Sequence, residues 1–279
     1  MKIKAYAKLN LSLRVFEKRS DGFHNIESVM QSVSLHDLMT LSLIPSGIEL
    51  TCSDPKVPKG KENIVHKAAE LFLQEGKRQE AKGKRQKVEG VKVHIEKHIP
   101  IAAGLAGGSA DAAAVLYGLN ELMLHASRLS PEDLLKLGAR VGADVPFCLT
   151  GGTCLVKGKG ENVEKQQPWP KTYFILVCPD IHVSTKWAYE EFDQMHINVP
   201  EEIKNDLEPV VIYKHEVVSE IKDKLLNLGC SEAQMSGSGP SVFGMLRHKA
   251  EAQEIFDKIK GEYPQSFLVE TMDKGLELI

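Results

Sequence analysis

The run Pro100-Ile-Ala-Ala-Gly104-Leu105-Ala106-Gly107-Gly108-Ser109-Ala-Asp111-Ala-Ala-Ala114 offers backbone, not side chains, as its reactive surface. Gly, Ala and Ser leave the chain nearly bare, and the stripe that follows (Ala112, Val115, Leu116, Leu119, Leu122, Met123) has helical spacing. A helix start presents unpaired N–H groups and the positive end of the helix dipole, so it attracts anions. A polyphosphate suits such a cradle. The run is not a Walker A loop, because no Gly-Lys-Ser/Thr follows, and its glycines do not fit Gly-x-Gly-x-x-Gly. The plain alternative is a tight strand-to-helix turn made of small residues for close packing.

Two further segments and one turn could join it. An N-terminal strand carries Lys8 and Asn10, although alternation alone would turn Lys8 outward to solvent. Near the C-terminus, Ser236-Gly237-Ser238-Gly239-Pro240-Ser241 reads as a glycine hairpin, where missing side chains permit close approach. Between them, Gly142-Ala-Asp144-Val-Pro146-Phe147 sets an acidic residue in a turn with apolar neighbours. A turn aspartate can equally serve by capping backbone N–H groups.

The elements that must position these groups follow from periodicity. Lys2 to Phe16 alternates as a strand, a turn follows at Ser20-Asp21-Gly22, and strand-like runs near Glu27–Leu35 and Leu38–Ile44 suggest an antiparallel arrangement. Asn63–Leu73 reads as a helix, and Val91, Val93 and Ile95 alternate as the strand that enters the glycine run. Gln74–Glu89 is a charged connector; without an aromatic residue for base stacking it reads as a solvated insertion, not a nucleic-acid arm. Ser130-Pro131-Glu132-Asp133 is a helix start, and Thr153–Val156 a strand. A charged loop from Lys157 to Lys165 and Pro168-Trp-Pro170 mark a domain boundary, giving domains 1–158 and 159–279. Beyond it come a strand at Phe174–Cys178, a helix through Val217–Leu228 ended by Gly229, and the glycine hairpin between strands Ala233–Met235 and Val242–Leu246. A helix near Lys249–Lys260 and a strand at Ser266–Thr271 follow. Strand, helix, hairpin, helix, strand predicts an α+β layer with helices on one face of an antiparallel sheet.

Composition narrows the class. The 279 residues are 42% hydrophobic and 26% charged, as in globular proteins that bury a substantial core. A formal net charge of −3 points to no nucleic-acid or membrane partner. Five scattered cysteines without a Cys-x-x-Cys pair argue for free thiols in a reducing compartment. Lys2, Lys4 and Lys8 interrupt any apolar signal core, so the expected location is cytoplasmic. None of the ten histidines has metal-ligand spacing, and no tightly bound zinc is expected.

Taken together, Lys8-Leu-Asn10-Leu, Pro100–Ala114 and Ser236–Gly244 resemble, in order, the three motifs of the small-molecule kinase superfamily of galactokinase, homoserine kinase, mevalonate kinase and phosphomevalonate kinase. Ala5-Tyr-Ala-Lys8-Leu-Asn10, Arg19-Ser-Asp21-Gly22-Phe23-His24 and Gly142-Ala-Asp144-Val-Pro146-Phe147 are most similar to the branch acting on a cytidine-diphosphate-linked methylerythritol. The resemblance implies two α+β domains, a ribosomal-protein-like N-terminal one and a ferredoxin-like C-terminal one, with the active site in the cleft between them. It implies ATP-dependent phosphorylation of the 2-hydroxyl of the methylerythritol unit, with Mg²⁺, in the non-mevalonate route to isoprenoid precursors.

The same resemblance distributes roles. Asp144 is the expected general base, and Lys8 beside it keeps the carboxylate ionised and stabilises the developing alkoxide. Pro100, Gly104, Leu105, Ala106, Gly107, Gly108 and Ser109 hold ATP, Ser109 through a phosphate or the metal, with Asn63 at the adenosine side and also a good N-cap. Asn10 contacts substrate near the acceptor, and Gly237, Ser238 and Gly239 shape the pocket floor. Phe23 and Tyr189 sandwich the cytosine, with His24 at its polar edge and Thr185 nearby. Phe23 stands where tyrosine is usual, losing a hydroxyl but keeping the ring. Ala102 and Ala103 stand where some members have glycine, tolerable if both keep negative φ. Other kinases of the superfamily, a silent ligand-binding relative and an RNA-binding module remain the competing readings.

Overall fold

The computed structural model describes residues 1–80, 88–124, 127–195 and 199–279. The first part of the chain forms β1 (Lys2–Asn10), β2 (Arg14–Lys18), β3 (His24–Ile44), β4 (Gly47–Cys52), α1 (Ile64–Glu80), β5 (Gly90–Glu96) and α2 (Gly107–Leu122). Then come α3 (Pro131–Val141), α4 (Val145–Thr150), β6 (Thr153–Gly158), β7 (Asn162–Lys165), β8 (Tyr173–Val177), α5 (Thr185–Met195) and α6 (Glu208–Lys214). The last elements are α7 (Val217–Asn227), β9 (Glu232–Met235), β10 (Val242–Leu246), α8 (Lys249–Ile259), β11 (Ser266–Glu270) and β12 (Leu276–Leu278).

The two runs expected at 27–35 and 38–44 are one bent strand of 21 residues. No Gly or Pro interrupts them, so the chain continues through the bend. Tyr6 pairs with His36 but Lys8 with Ser32, so β3 carries extra residues opposite Ala7. There Val33 bridges to Thr271. The bend therefore falls where the two halves of the molecule meet.

Other departures have local causes. The helix-forming Gln, Glu, Lys and Arg of the expected connector extend α1 to Glu80, while Lys82, Lys84, Arg85 and Lys87 lie outside the described residues. The charged stretch after Lys157 is a hairpin, with β7 paired to β6. The turn at Asp144 opens a short helix, α4. Ser130 caps α3 as expected, its hydroxyl accepting the Asp133 N–H at 3.1 Å.

β12–β1–β3–β5–β4 form one sheet, to which β2 and β6 add along the N-terminal half of β3, with β7 on the outer edge of β6. β7 and β12 reach it from beyond residue 158, so strand pairing crosses the expected boundary. α1 to α4 pack together on this sheet. The second sheet has the order β11–β8–β10–β9, antiparallel throughout. Its strand–helix–strand–strand–helix–strand order is ferredoxin-like, as the resemblance implies.

A third core lies between the two sheets. Ala7, Leu9 and Leu11 of the β1 segment and Val33 of β3 meet Phe174, Leu176, Phe243 and Met245 there, joined by Ala103 and Leu105 of the glycine run. Burial on both faces ends the alternation of β1 after Lys4, and this carries Lys8 indoors. Leu105 is the side chain that fastens the glycine run to this core, at 1% exposure. Leu105→Ala is expected to lower the unfolding free energy by about 2–5 kcal/mol, measured by urea denaturation.

Candidate active site

A cleft of about 1030 Å³ opens between the two halves. One wall is the glycine run, held by its strained and its missing side chains. Gly104 has φ +76°, and a Cβ there would sit 2.6 Å from the Ser236 carbonyl oxygen and 2.9 Å from that of Gly239. The hairpin between β9 and β10 thus lies directly on the loop. The expected negative φ fails at Ala102 (φ +54°), and Ala106 is left-handed as well (φ +57°). Each such alanine costs roughly 1–2 kcal/mol. The loop path demands it, because Ala103 and Leu105 must reach the interdomain core between them. Ala106 occupies the N-cap of α2 without a side-chain cap, leaving the first-turn N–H groups open beside Gly107, Gly108 and Ser109. Pro100, Leu105 and Ser109 line the cleft; the Leu105 side chain packs into the core and its carbonyl accepts the Lys8 N–H at 3.1 Å. Asn63 lines the cleft and caps α1, accepting the Val65 N–H at 2.8 Å.

Lys8 is 4% exposed and lines the same cleft. Its ammonium donates to Asn10 Oδ1 at 2.5 Å and to the Gly104 carbonyl at 3.0 Å. Asn10 lines the cleft as well. Its amide is engaged inside the protein, accepting from Lys8 and donating to Ser28 Oγ at 2.8 Å, so it orients the lysine. Asp144 sits at the N-cap of α4, yet its side chain makes no capping bond and faces the cleft. No ion pair joins Lys8 to Asp144 among the described residues; the two flank the cleft instead of touching. Cys148, one turn into α4, feels both: burial pushes its thiol up, Asp144 adds to the rise and Lys8 opposes it. Gly237 (φ +58°) closes over this corner, and a Cβ there would lie 3.1 Å from Asn10 Oδ1 and 3.2 Å from Lys8 Nζ. Ser238 also lines the cleft, its hydroxyl 2.8 Å from Thr185 Oγ1 at the start of α5. Gly239 is set back from the cleft, packed on Met235.

The far end carries the rings. Phe23 is 54% exposed, with Lys159 Nζ 5.0 Å from its centroid, which excludes core packing for it. His24 is buried and stacks on Tyr189, centroids 5.2 Å apart at 22°. Tyr189 therefore already has one ring neighbour, and burial, then the Asp144 charge, pushes its phenol up.

Sequence reasoning missed a buried triad under the loop. Lys97, 7% exposed, is paired to Asp37 and, at 3.0 Å, to Asp111. Asp37 also accepts the His98 and Ile99 N–H groups at 2.6 and 2.9 Å. Burial alone would lower the Lys97 pKa, but the Asp111 and Asp37 charges hold it above the usual value. Burial and then Asp37 push the Asp111 carboxyl well up, and its Oδ1 is buried without a partner. Nothing in the local pattern marks Asp37, 60 residues before Lys97.

This arrangement has known counterparts. The family model for the GHMP kinases N terminal domain matches residues 63–152, and that for the GHMP kinases C terminal matches 188–265. A 4-diphosphocytidyl-2-C-methyl-D-erythritol kinase of Acetivibrio thermocellus is 40% identical, covering 97% of this chain and 98% of its own. One from Thermoanaerobacter pseudethanolicus is also 40% identical, over 100% and 98%. A crystal structure of 4-(cytidine 5'-diphospho)-2C-methyl-D-erythritol kinase superposes with a TM-score of 0.78 at 28% identity, covering 97% and 99%. A homoserine kinase from Cytophaga hutchinsonii shares the fold, with a TM-score of 0.74 at 21% identity over 100% and 97%. The chain is thus a GHMP kinase, a fold class whose members use ATP as co-substrate. Within that class it belongs to the 4-diphosphocytidyl-2-C-methyl-D-erythritol kinase family. Among the described residues no helix is long and apolar enough to cross a membrane.

The triad sets a test of the loop's support. Lys97→Met leaves two buried carboxyls without their cation and is expected to cost about 3–5 kcal/mol. A carboxyl whose pKa is higher folded than unfolded binds more protons in the folded state, so its stability contribution falls as pH rises. The deficit in urea unfolding should therefore be smaller at acid than at alkaline pH, with Asp111 taking up the proton.

Proposed function

We propose that this kinase transfers the γ-phosphoryl group of ATP to the 2-hydroxyl of 4-diphosphocytidyl-2-C-methyl-D-erythritol, a step of isoprenoid precursor synthesis. The observation that carries the reading is the pairing of a buried, oriented ammonium with an uncapped carboxylate across one cleft walled by an open helix N-terminus. Phosphoryl transfer needs positioning and charge stabilisation more than covalent chemistry. The first-turn N–H groups of α2 hold the phosphates, with Ser109 contributing its hydroxyl.

Among the described residues no group of three or more His, Cys, Asp or Glu side chains gathers for a resident metal. That donor set fits Mg²⁺ carried on the ATP phosphates, with Ser109 as the protein oxygen; when bound, the ion neutralises charge on the transferring group. Asp144 accepts the proton of the acceptor hydroxyl, which is too weak an acid to lose it unaided. Lys8, fixed by Asn10 and the Gly104 carbonyl, stabilises negative charge on that oxygen as it attacks. Phe23, His24, Tyr189 and Lys159 gather at the other end, where a planar base finds stacking faces and a cation.

ADP release with Mg-ATP should depend on the cytidine-linked acceptor and not proceed with homoserine, mevalonate or galactose. Asp144→Asn should lower kcat by about 10²–10⁴-fold. Full activity in that variant would remove Asp144 from proton transfer, and turnover of another acceptor would overturn the substrate assignment.

A further inference from the structure

Asp193 lies on α5, two turns beyond Thr185, and is not part of the cleft wall. Its two carboxylate oxygens reach across to the opposite half of the molecule. Oδ1 lies 2.7 Å from His24 Nε2 and Oδ2 lies 2.7 Å from Lys18 Nζ. Lys18 and His24 are register partners at the mouth of the β2–β3 hairpin, so one carboxylate grips both of its strands. Phe23 belongs to the turn of that hairpin. Tyr189 precedes Asp193 by four residues, so both lie on one face of α5, and its ring stacks on the same His24. The His24 side chain, 4% exposed, is therefore fixed from two directions by one helix face.

We propose that Asp193 is a positioning residue for nucleobase recognition: it locks the β2–β3 hairpin to α5 and so sets the spacing of Phe23, His24 and Tyr189 around a pyrimidine base. The inference rests on the cytidine-linked substrate proposed above. A carboxylate suits the task because it accepts two charge-assisted bonds at once, one on each oxygen. Burial opposes ionisation of Asp193, but Lys18 and then His24 hold its carboxyl below the usual range. The imidazole in turn presents its Nε2–H to the carboxylate, which fixes the plane of the ring on which Tyr189 lies. Without the clamp both elements remain folded, since each belongs to its own sheet or core, but the slot between them loosens.

The test compares wild type, Asp193→Ala and Asp193→Glu in steady-state kinetics, with calorimetric titration of cytidine diphosphate as a readout independent of turnover. In Asp193→Ala the KM for the cytidine-linked acceptor and the Kd for cytidine diphosphate should both rise about tenfold, the lower range of one base stack. KM for ATP and kcat should stay within about twofold, and Asp193→Glu should recover much of the loss. Unchanged cytidine diphosphate affinity, an equal rise in both KM values, or a fall confined to kcat would overturn the clamp. Failure of the wild-type protein to turn over the acceptor would instead remove the proposed function, a separate outcome from the first experiment of the set.

Discussion

Everything in the cleft depends on a lysine ammonium held out of bulk water. Burying a cation without partners costs several kcal/mol or more, so its acceptors decide where it can sit. Lys8 has two, Asn10 Oδ1 and the Gly104 carbonyl, and an ammonium has three donors. The remaining donor serves the cleft that Lys8 lines. Because Gly104 supplies one acceptor, the glycine loop and the buried ammonium form one mechanical unit. Because the Ser236 hydroxyl accepts the Asn10 N–H at 3.2 Å, the C-terminal hairpin belongs to it as well.

The two sheets hold that unit from opposite sides. Ala103 and Leu105 root the loop in the interdomain core, and the left-handed Ala102 and Ala106 are the local cost of its path. Gly104 and Gly237 keep the approach between loop and hairpin free of side chains. Beneath the loop, Lys97 neutralises one of two buried carboxylates and ties the end of β5 to the first turns of α2. The glycine loop is thus stiffened from below by charge and from behind by apolar packing.

Much of this was legible in the sequence, and the exceptions share a cause. The glycine run, the hairpin and the Ser130 cap each leave a signature within a dozen residues, and the ferredoxin-like order follows from the succession of elements from Tyr173 to Glu270. Lys8 does not, because alternation turns it outward, and only burial of β1 between two sheets brings it inside. The bond from Asn10 to Ser28, on the neighbouring strand, is likewise invisible locally. The stacking of Tyr189 on His24 is a contact that only the placement of α5 creates. Asp37, Lys97, Asp111 and Asp193 act through pairings made by topology, and α5, with Ala188 as its one buried residue among those described, offers no strong periodicity to announce it.

The central claim is that Asn10 acts through Lys8, and a double-mutant cycle reads it most directly. Lys8→Met, Asn10→Leu and the double variant would be compared with wild type by kcat/KM for the cytidine-linked acceptor. Residues acting as a unit show strong coupling. The double variant should be about as slow as Lys8→Met alone, since the asparagine has nothing left to orient. Losses that simply multiply would contradict the account and return Asn10 to direct contact with substrate.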